Sequence, residues 1–151
     1  MIVLDASAAV DWLLQTPSGQ RIENRIYSRN ETLHAPHLLD LEVPQVLRRL
    51  ARQGVIPVRR ADEAVRDLLD LRITRYPHFV LLPRIWQLRH HFSAYDAAYI
   101  VLAEKLGAVS YTGRSTRFCF GPCGAHRAVL IRRTAFYSLT YCSYIISARQ
   151  N

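Results

Sequence analysis

Three acidic side chains, far apart in the sequence, occur at positions where carboxylates do chemistry in α/β proteins. Asp5 closes an apolar run, Glu42 lies in an amphipathic helical pattern, and Asp96 falls in the first turn of a predicted helix. Carboxylates that converge repel one another, and each has a raised pKa unless a cation lies between them. Mg²⁺ and Mn²⁺ prefer such oxygen ligands, and a site of this kind activates water and binds phosphodiester oxygens.

Each acid also has a purely structural interpretation. Asp96 follows Ser93 at the spacing of a capping box, and Asp5 could cap the turn that follows it. Glu42 could be a solvated helix residue. The joint placement of the three acids, at the ends of buried elements, favours a common site over three separate structural roles.

The hydrophobic pattern predicts short strands alternating with helices, which is typical of an α/β domain with a small parallel sheet. The first strand, at 1–5, is wholly apolar up to its acid, which predicts a buried central strand. Ser7 stands at the predicted N-cap of the next helix. The predicted strands are 1–5, 33–36, 79–82 and 108–112, with a possible last edge strand at 128–131. The predicted helices are 7–14, 17–27, 38–52, 57–75, 83–91 and 93–106.

The composition divides the 151 residues into two unlike parts. Residues 1–104 hold 13 Arg and 12 acids, whereas residues 105–151 hold seven Lys or Arg and no acid, which together give the net charge of +8. A basic patch predicts a polyanionic partner.

Half of the residues are hydrophobic, and this share excludes disorder as the main state of the chain. The first 14 residues lack a basic n-region, and no apolar stretch reaches 18 residues, so we expect a cytoplasmic protein with no signal peptide and no membrane association.

Three segments together resemble the acidic motifs of PIN-domain nucleases. They are residues 1–10 (MIVLDASAAV), 41–50 (LEVPQVLRRL) and 93–103 (SAYDAAYIVLA). The nearest resemblance is to the virulence-associated protein C toxins of bacterial toxin–antitoxin pairs, and it covers about residues 1–112. It implies a PIN-like three-layer α/β/α fold, Mg²⁺- or Mn²⁺-dependent endoribonuclease activity, homodimerisation and neutralisation by a cognate antitoxin.

The resemblance also implies roles for the acids. Asp5 and Asp96 match metal ligands, Glu42 matches a third acid of the site, and Ser7 matches a small polar residue that often lines it. Arg48 and Arg49 follow Glu42 on the same predicted helix, and we expect them to guide RNA phosphates. An ordinary exposed arginine face is the alternative for these two residues.

The sequence departs from the family after residue 112. The family usually carries a fourth acid in a Thr-x-Asp pattern, whereas this chain reads Thr112-Gly113-Arg114. Codons for residues 114–117 can be chosen so that a neighbouring reading frame of the same nucleotides encodes Asp-Ala-Arg-Leu. That is the kind of sequence the family has at this position. We therefore interpret 1–112 as the PIN-like domain and 113–151 as an atypical basic and aromatic C-terminus, either frameshifted or poorly packed.

The sequence leaves two rival functions, one from Arg114 and one from Asp5. A catalytically impaired protein would bind antitoxin or RNA without turnover, because Arg114 replaces an acid. A phosphatase of the haloacid-dehalogenase type also begins from a strand-end Asp. Its chemistry needs a second acid two residues later, where this chain has Ser7.

Overall fold

Short strands alternate with helices along the chain, as the sequence pattern predicts. The computed structural model describes residues 1–111 and 117–119. Its elements, in chain order, are β1 (Ile2–Leu4), α1 (Ala6–Leu13), α2 (Pro17–Arg29), β2 (Leu33–Pro36), α3 (Leu39–Arg52), α4 (Val58–Asp70), β3 (Ile73–Tyr76), a 3₁₀ turn (His78–Val80), α5 (Leu82–Gln87), α6 (Ala94–Leu106), β4 (Val109–Tyr111) and β5 (Arg117–Cys119). Arg114 and the edge strand expected at 128–131 lie outside the described residues.

The strands form one sheet in the order β3-β2-β1-β4-β5. β1 lies at the centre, where Ile2 pairs with Leu33 on one side and with Val109 on the other. β1 to β4 are parallel, and β5 adds an antiparallel edge that the sequence pattern did not predict. The predicted α/β class with a small parallel sheet and a central first strand is confirmed. Because parallel strands end at the same edge of a sheet, that edge is where Asp5 follows β1.

Helices flank the sheet and complete its core. α6 packs against β1, β2 and β4, and α5 packs against α6, while α1 contacts α2, α3 and α4. All three residues of β1 are fully buried. α6 buries the small side chains of Ala97, Ala98 and Ala103, which allow the helix to approach the strands closely. No helix in the described ranges has both the length and the apolar character that crossing a membrane requires.

Two predicted elements, the helix at 57–75 and the strand at 79–82, are wrong in part or in whole. The predicted helix 57–75 ends at Asp70, and β3 follows it to pair with β2. The helical spacing of Leu69 and Ile73 is misleading, because Leu69 is 73% exposed and Ile73 belongs to the strand. β-Branched residues such as Ile73 and Thr74 fit a pleated surface better than a helix.

The predicted strand 79–82 is instead a 3₁₀ turn and the start of α5. Only Leu81 of these four residues is buried. Pro83 lies in the first turn of α5, a position that suits its fixed φ. This short apolar run therefore lies mostly at the surface and does not add a strand to the core.

Candidate active site

Asp5 combines a structural and a chemical position. It follows the central strand in an extended conformation and is the N-cap of α1. Its Oδ1 accepts hydrogen bonds from the backbone N–H of Ala8 and from the hydroxyl of Ser7, both at 2.8 Å. The predicted N-cap, Ser7, is therefore wrong: Ser7 lies inside the first turn of α1 and its side chain orients Asp5. The cap interpretation of Asp5 is confirmed, and a cap leaves room for a second role.

The electrostatic surroundings of Asp5 disfavour its ionised form. The pKa of this carboxyl is raised from 3.8 to about 6, with burial as the largest cause and the negative charge of Glu42 as a smaller one. The hydrogen bonds from Ala8 and Ser7 act in the opposite direction. A carboxylate that is partly desolvated and close to a second acid is a place where a cation would be stabilising.

Glu42 lies near the start of α3 and is half-buried. Its Oε2 accepts a hydrogen bond of 2.7 Å from the phenol of Tyr99, a residue of α6 that is only 6% exposed. The interpretation of Glu42 as a solvated helix residue is therefore wrong. Sequence reasoning missed Tyr99, although its spacing was a usable signal, since Tyr99 follows Asp96 by three residues and shares its face of the helix.

Asp96 lies in the first turn of α6, as predicted, but its side chain is exposed. Ser93 is the N-cap, and its hydroxyl accepts from the Asp96 backbone N–H at 3.1 Å. The same hydroxyl lies 2.7 Å from Asp96 Oδ2 and donates to it. The N-cap expected from the sequence is present, and its hydroxyl bonds to Asp96 orient a solvated carboxylate.

The three acids offer only oxygen donors, which is the chemistry that suits a hard divalent cation. Asp5 and Glu42 are close enough to interact electrostatically. Asp96 lies on the α6 face that also carries Tyr99, the partner of Glu42. Within residues 1–111 and 117–119, no three His, Cys, Asp or Glu side chains lie close enough together to form a metal site as they stand. The chemical type of the three donors, all carboxylate oxygens, nevertheless suits Mg²⁺ or Mn²⁺.

The two arginines of α3 occupy different surroundings. Arg49 follows Glu42 by seven residues, which places it two turns along the same helix face. Arg48 is exposed and lines a groove of about 360 Å³ between α3 and α4, beside Leu47 and Val65. Of these two arginines, only Arg49 lies on the same helix face as Glu42.

Comparisons with known proteins agree with this architecture. The PIN domain family matches residues 2–112. Ribonuclease VapC9 of Mycobacterium tuberculosis is 40% identical over 112 residues, which cover 74% of this chain and 84% of that protein. Ribonuclease VapC12 of the same organism is 40% identical over 107 residues, covering 71% of this chain and 81% of the relative.

A solved structure confirms the fold. The crystal structure of Mycobacterium tuberculosis VapC20, described as a sarcin-ricin loop cleaving toxin, superposes with a TM-score of 0.55. The superposition covers 74% of this chain and 88% of VapC20, at 15% sequence identity. The PIN-like three-layer α/β/α fold expected from the sequence is confirmed, and so is the resemblance on which it was based. The chain belongs to the PIN-domain family of VapC ribonucleases.

Proposed function

We propose that this chain is the endoribonuclease toxin of a type II toxin–antitoxin pair and hydrolyses RNA phosphodiesters with Mg²⁺ or Mn²⁺. The observation that carries the proposal is Asp5, a partly desolvated carboxyl at the end of the central strand, with a second acid, Glu42, within electrostatic reach. The relatives that match most of this chain are named as ribonucleases, which supports RNA as the substrate.

The proposed roles follow from the surroundings of each acid. Asp5 and Asp96 would hold the cation, and Glu42 would help to hold it or orient the attacking water. Ser7 keeps the Asp5 carboxyl in place through its hydrogen bond to Oδ1. When bound, a divalent cation lowers the pKa of water and neutralises charge on phosphodiester oxygens.

Arg48 and Arg49 would bind RNA phosphates beside this site. Arg49 is the stronger candidate, because it shares a helix face with Glu42, whereas Arg48 faces the groove between α3 and α4. Contacts of this kind position a nucleic acid without reading its sequence.

The proposed partners are RNA, a cognate antitoxin and a second copy of the chain. An RNA substrate and an antitoxin imply that the protein acts in the cytoplasm. The exposed apolar side chains of Phe79, Leu82 and Trp86, which are 70%, 55% and 69% exposed, support a homodimer formed through this surface. Light scattering after size-exclusion chromatography should give twice the chain mass, and Trp86→Glu should reduce it to the monomer.

The catalytically impaired rival is not favoured, because the matching relatives are named as ribonucleases. Arg114, on which that rival depended, lies outside the described residues. The phosphatase rival is excluded by membership of the PIN-domain family.

The proposal is tested by incubating the purified chain with RNA in Mg²⁺, in Mn²⁺ and in EDTA, with Asp5→Asn as the blank. We expect cleavage that needs a divalent ion and is stronger with Mn²⁺, which generally binds such ligands more tightly. Cleavage that persists in EDTA, or that Asp5→Asn retains, would contradict the proposal. Absence of RNA cleavage in both Mg²⁺ and Mn²⁺ would contradict it as well.

A further inference from the structure

We propose that Tyr99 is a positioning residue that acts through Glu42 and sets the metal affinity and turnover of the site. This inference rests on the proposed function and assigns a role to a side chain that contacts a proposed acid of the site. The observation behind it is the hydrogen bond of 2.7 Å from the Tyr99 phenol to Glu42 Oε2.

The contact joins two separate elements at the site. Glu42 belongs to α3 and Tyr99 to α6, and the two residues are 57 positions apart in sequence. Tyr99 is 6% exposed, so the core packs around its ring. A buried ring has little freedom to move, and it therefore restrains the carboxylate oxygen to which its hydroxyl donates.

The hydrogen bond also suits the chemistry of a metal ligand. A carboxylate oxygen accepts hydrogen bonds, and bonds from a hydroxyl to a carboxylate are among the shorter and stronger ones in proteins. The contact from the Tyr99 hydroxyl to Glu42 Oε2 is 2.7 Å long, so it restrains the carboxylate before any cation binds.

The same helix connects Tyr99 to the third acid. Asp96 and Tyr99 are three residues apart on α6 and therefore share a face of that helix. The contact of Tyr99 with Glu42 thus lies on the same face of α6 as Asp96. Loss of the hydroxyl should loosen Glu42 first, because the ring of Tyr99 still packs.

Tyr99→Phe removes the hydroxyl and keeps the ring, so it is the test variant. Tyr76→Phe is the matched control, since the Tyr76 hydroxyl also makes a part-buried hydrogen bond, at 3.0 Å from His34 Nδ1, between β2 and β3, which carry none of the three acids. The readouts are Mn²⁺ binding by electron paramagnetic resonance, kcat and KM for RNA cleavage, and the thermal unfolding midpoint of each metal-free variant.

We expect Tyr99→Phe to weaken Mn²⁺ binding and lower kcat by about tenfold each, as is usual for groups that orient metal ligands, with KM changed less than about twofold. Tyr76→Phe should lower the unfolding midpoint by a similar amount but leave Mn²⁺ affinity and kcat unchanged. In a Glu42→Gln background, Tyr99→Phe should have little further effect, because the residue acts through Glu42.

Three results would overturn the inference. An active wild-type chain whose Tyr99→Phe variant binds Mn²⁺ and turns over equally well refutes it alone and leaves the proposed function intact. Equal losses in Tyr99→Phe and Tyr76→Phe refute it as well, since they indicate a general loss of stability. A wild-type chain that neither binds Mn²⁺ nor cuts RNA refutes the proposed function and the inference together.

Discussion

The proposed site has an inner half around Asp5 and an outer half around Asp96, and in the two halves the aspartate and the serine exchange the helix-cap position. In the inner half, Asp5 caps α1 and Ser7 follows to support it. In the outer half, Ser93 caps α6 and Asp96 follows, with its carboxylate bonded to the serine hydroxyl. Each half thus presents an aspartate and a serine at the start of a helix, where the helix dipole favours negative charge.

The halves differ in their access to water, and this difference separates their chemistry. Burial raises the pKa of Asp5 to about 6, with Glu42 adding to the effect. Asp96 is exposed, so water solvates its charge. A carboxylate at the start of a helix is therefore electrostatically strained where it is buried near a second acid, as Asp5 is, and relaxed where water reaches it, as at Asp96. The inner half therefore has the greater electrostatic need for a cation.

The largest expected effect is the loss of RNA cleavage in Asp5→Asn, by at least about 100-fold, since even groups that only orient metal ligands cost 10- to 100-fold. Asn still accepts the cap hydrogen bond from Ala8, so the fold is kept. Without the buried charge, the metal-free variant at pH 7.5 should be more stable than wild type by up to about 3 kcal/mol.

Urea denaturation in EDTA measures this change in stability, and an RNA cleavage assay measures the activity. Asp96→Asn is the control: it should also lose activity but gain no comparable stability, because its carboxylate is solvated. An Asp5→Asn protein less stable than wild type at pH 7.5 would show that the inner half is not electrostatically strained.

The stability gap between Asp5→Asn and wild type should depend on pH. The native Asp5 carboxyl, with a pKa of about 6, holds its proton more tightly than the unfolded carboxyl at 3.8. Lowering the pH through 6 therefore stabilises wild type relative to the variant, and the gap should be nearly closed at pH 4. Urea midpoints of the metal-free proteins between pH 7.5 and 4 measure it. A gap that stays constant would mean that Asp5 titrates normally.

A smaller effect should separate the two serines. Ser93→Ala removes the α6 cap and should lower the free energy of unfolding by about 1 kcal/mol at every pH from 5 to 8. Ser7→Ala removes a hydrogen bond to ionised Asp5, so a loss of about 1 kcal/mol should appear only above pH 6. Parallel denaturation curves at pH 5 and 8 measure both. The same pH response in both variants would erase the distinction between the halves.

The smallest effect concerns the two arginines that follow Glu42 on α3, Arg48 and Arg49. Arg49→Ala should raise KM for RNA about threefold and reduce the slope of log binding against log salt by about one, as expected for one lost phosphate contact. Arg48→Ala should have a weaker effect. Arg59→Ala is the control, because Arg59 lies on α4 and pairs with Glu63. A larger effect from Arg59 than from Arg49 would direct the search for the RNA path to α4.

Local signals predicted the parts of the fold that short-range chemistry determines. The apolar run ending at Asp5, the capping pattern of Ser93 and Asp96, and the glycine at 107 each correspond to an observed strand end or helix end. Gly107 adopts a φ of 57°, which is why a glycine suits the end of α6.

Long-range packing determines the elements that local signals did not predict. Ile73 has the spacing of the preceding helix, but it pairs with Leu33 of β2 and belongs to strand β3. The apolar run at 79–82 resembled a buried strand, although only one of its residues is buried. In the site, sequence motifs predicted the acids but not the partner of Glu42. The bond to Tyr99 joins α3 to α6 and exists only once both have packed.

The strained carboxylate of Asp5 and the relaxed one of Asp96 would bind the same ion. Mn²⁺ titration of wild type, Asp5→Asn, Asp96→Asn and the double variant, followed by electron paramagnetic resonance, tests it most directly. We predict one ion per wild-type chain, at least a tenfold loss of affinity in each single variant, and a combined loss that differs from the sum of the two, because ligands of one ion are coupled. Wild-type affinity in Asp96→Asn would contradict the account, because it would show that the inner half binds the ion alone.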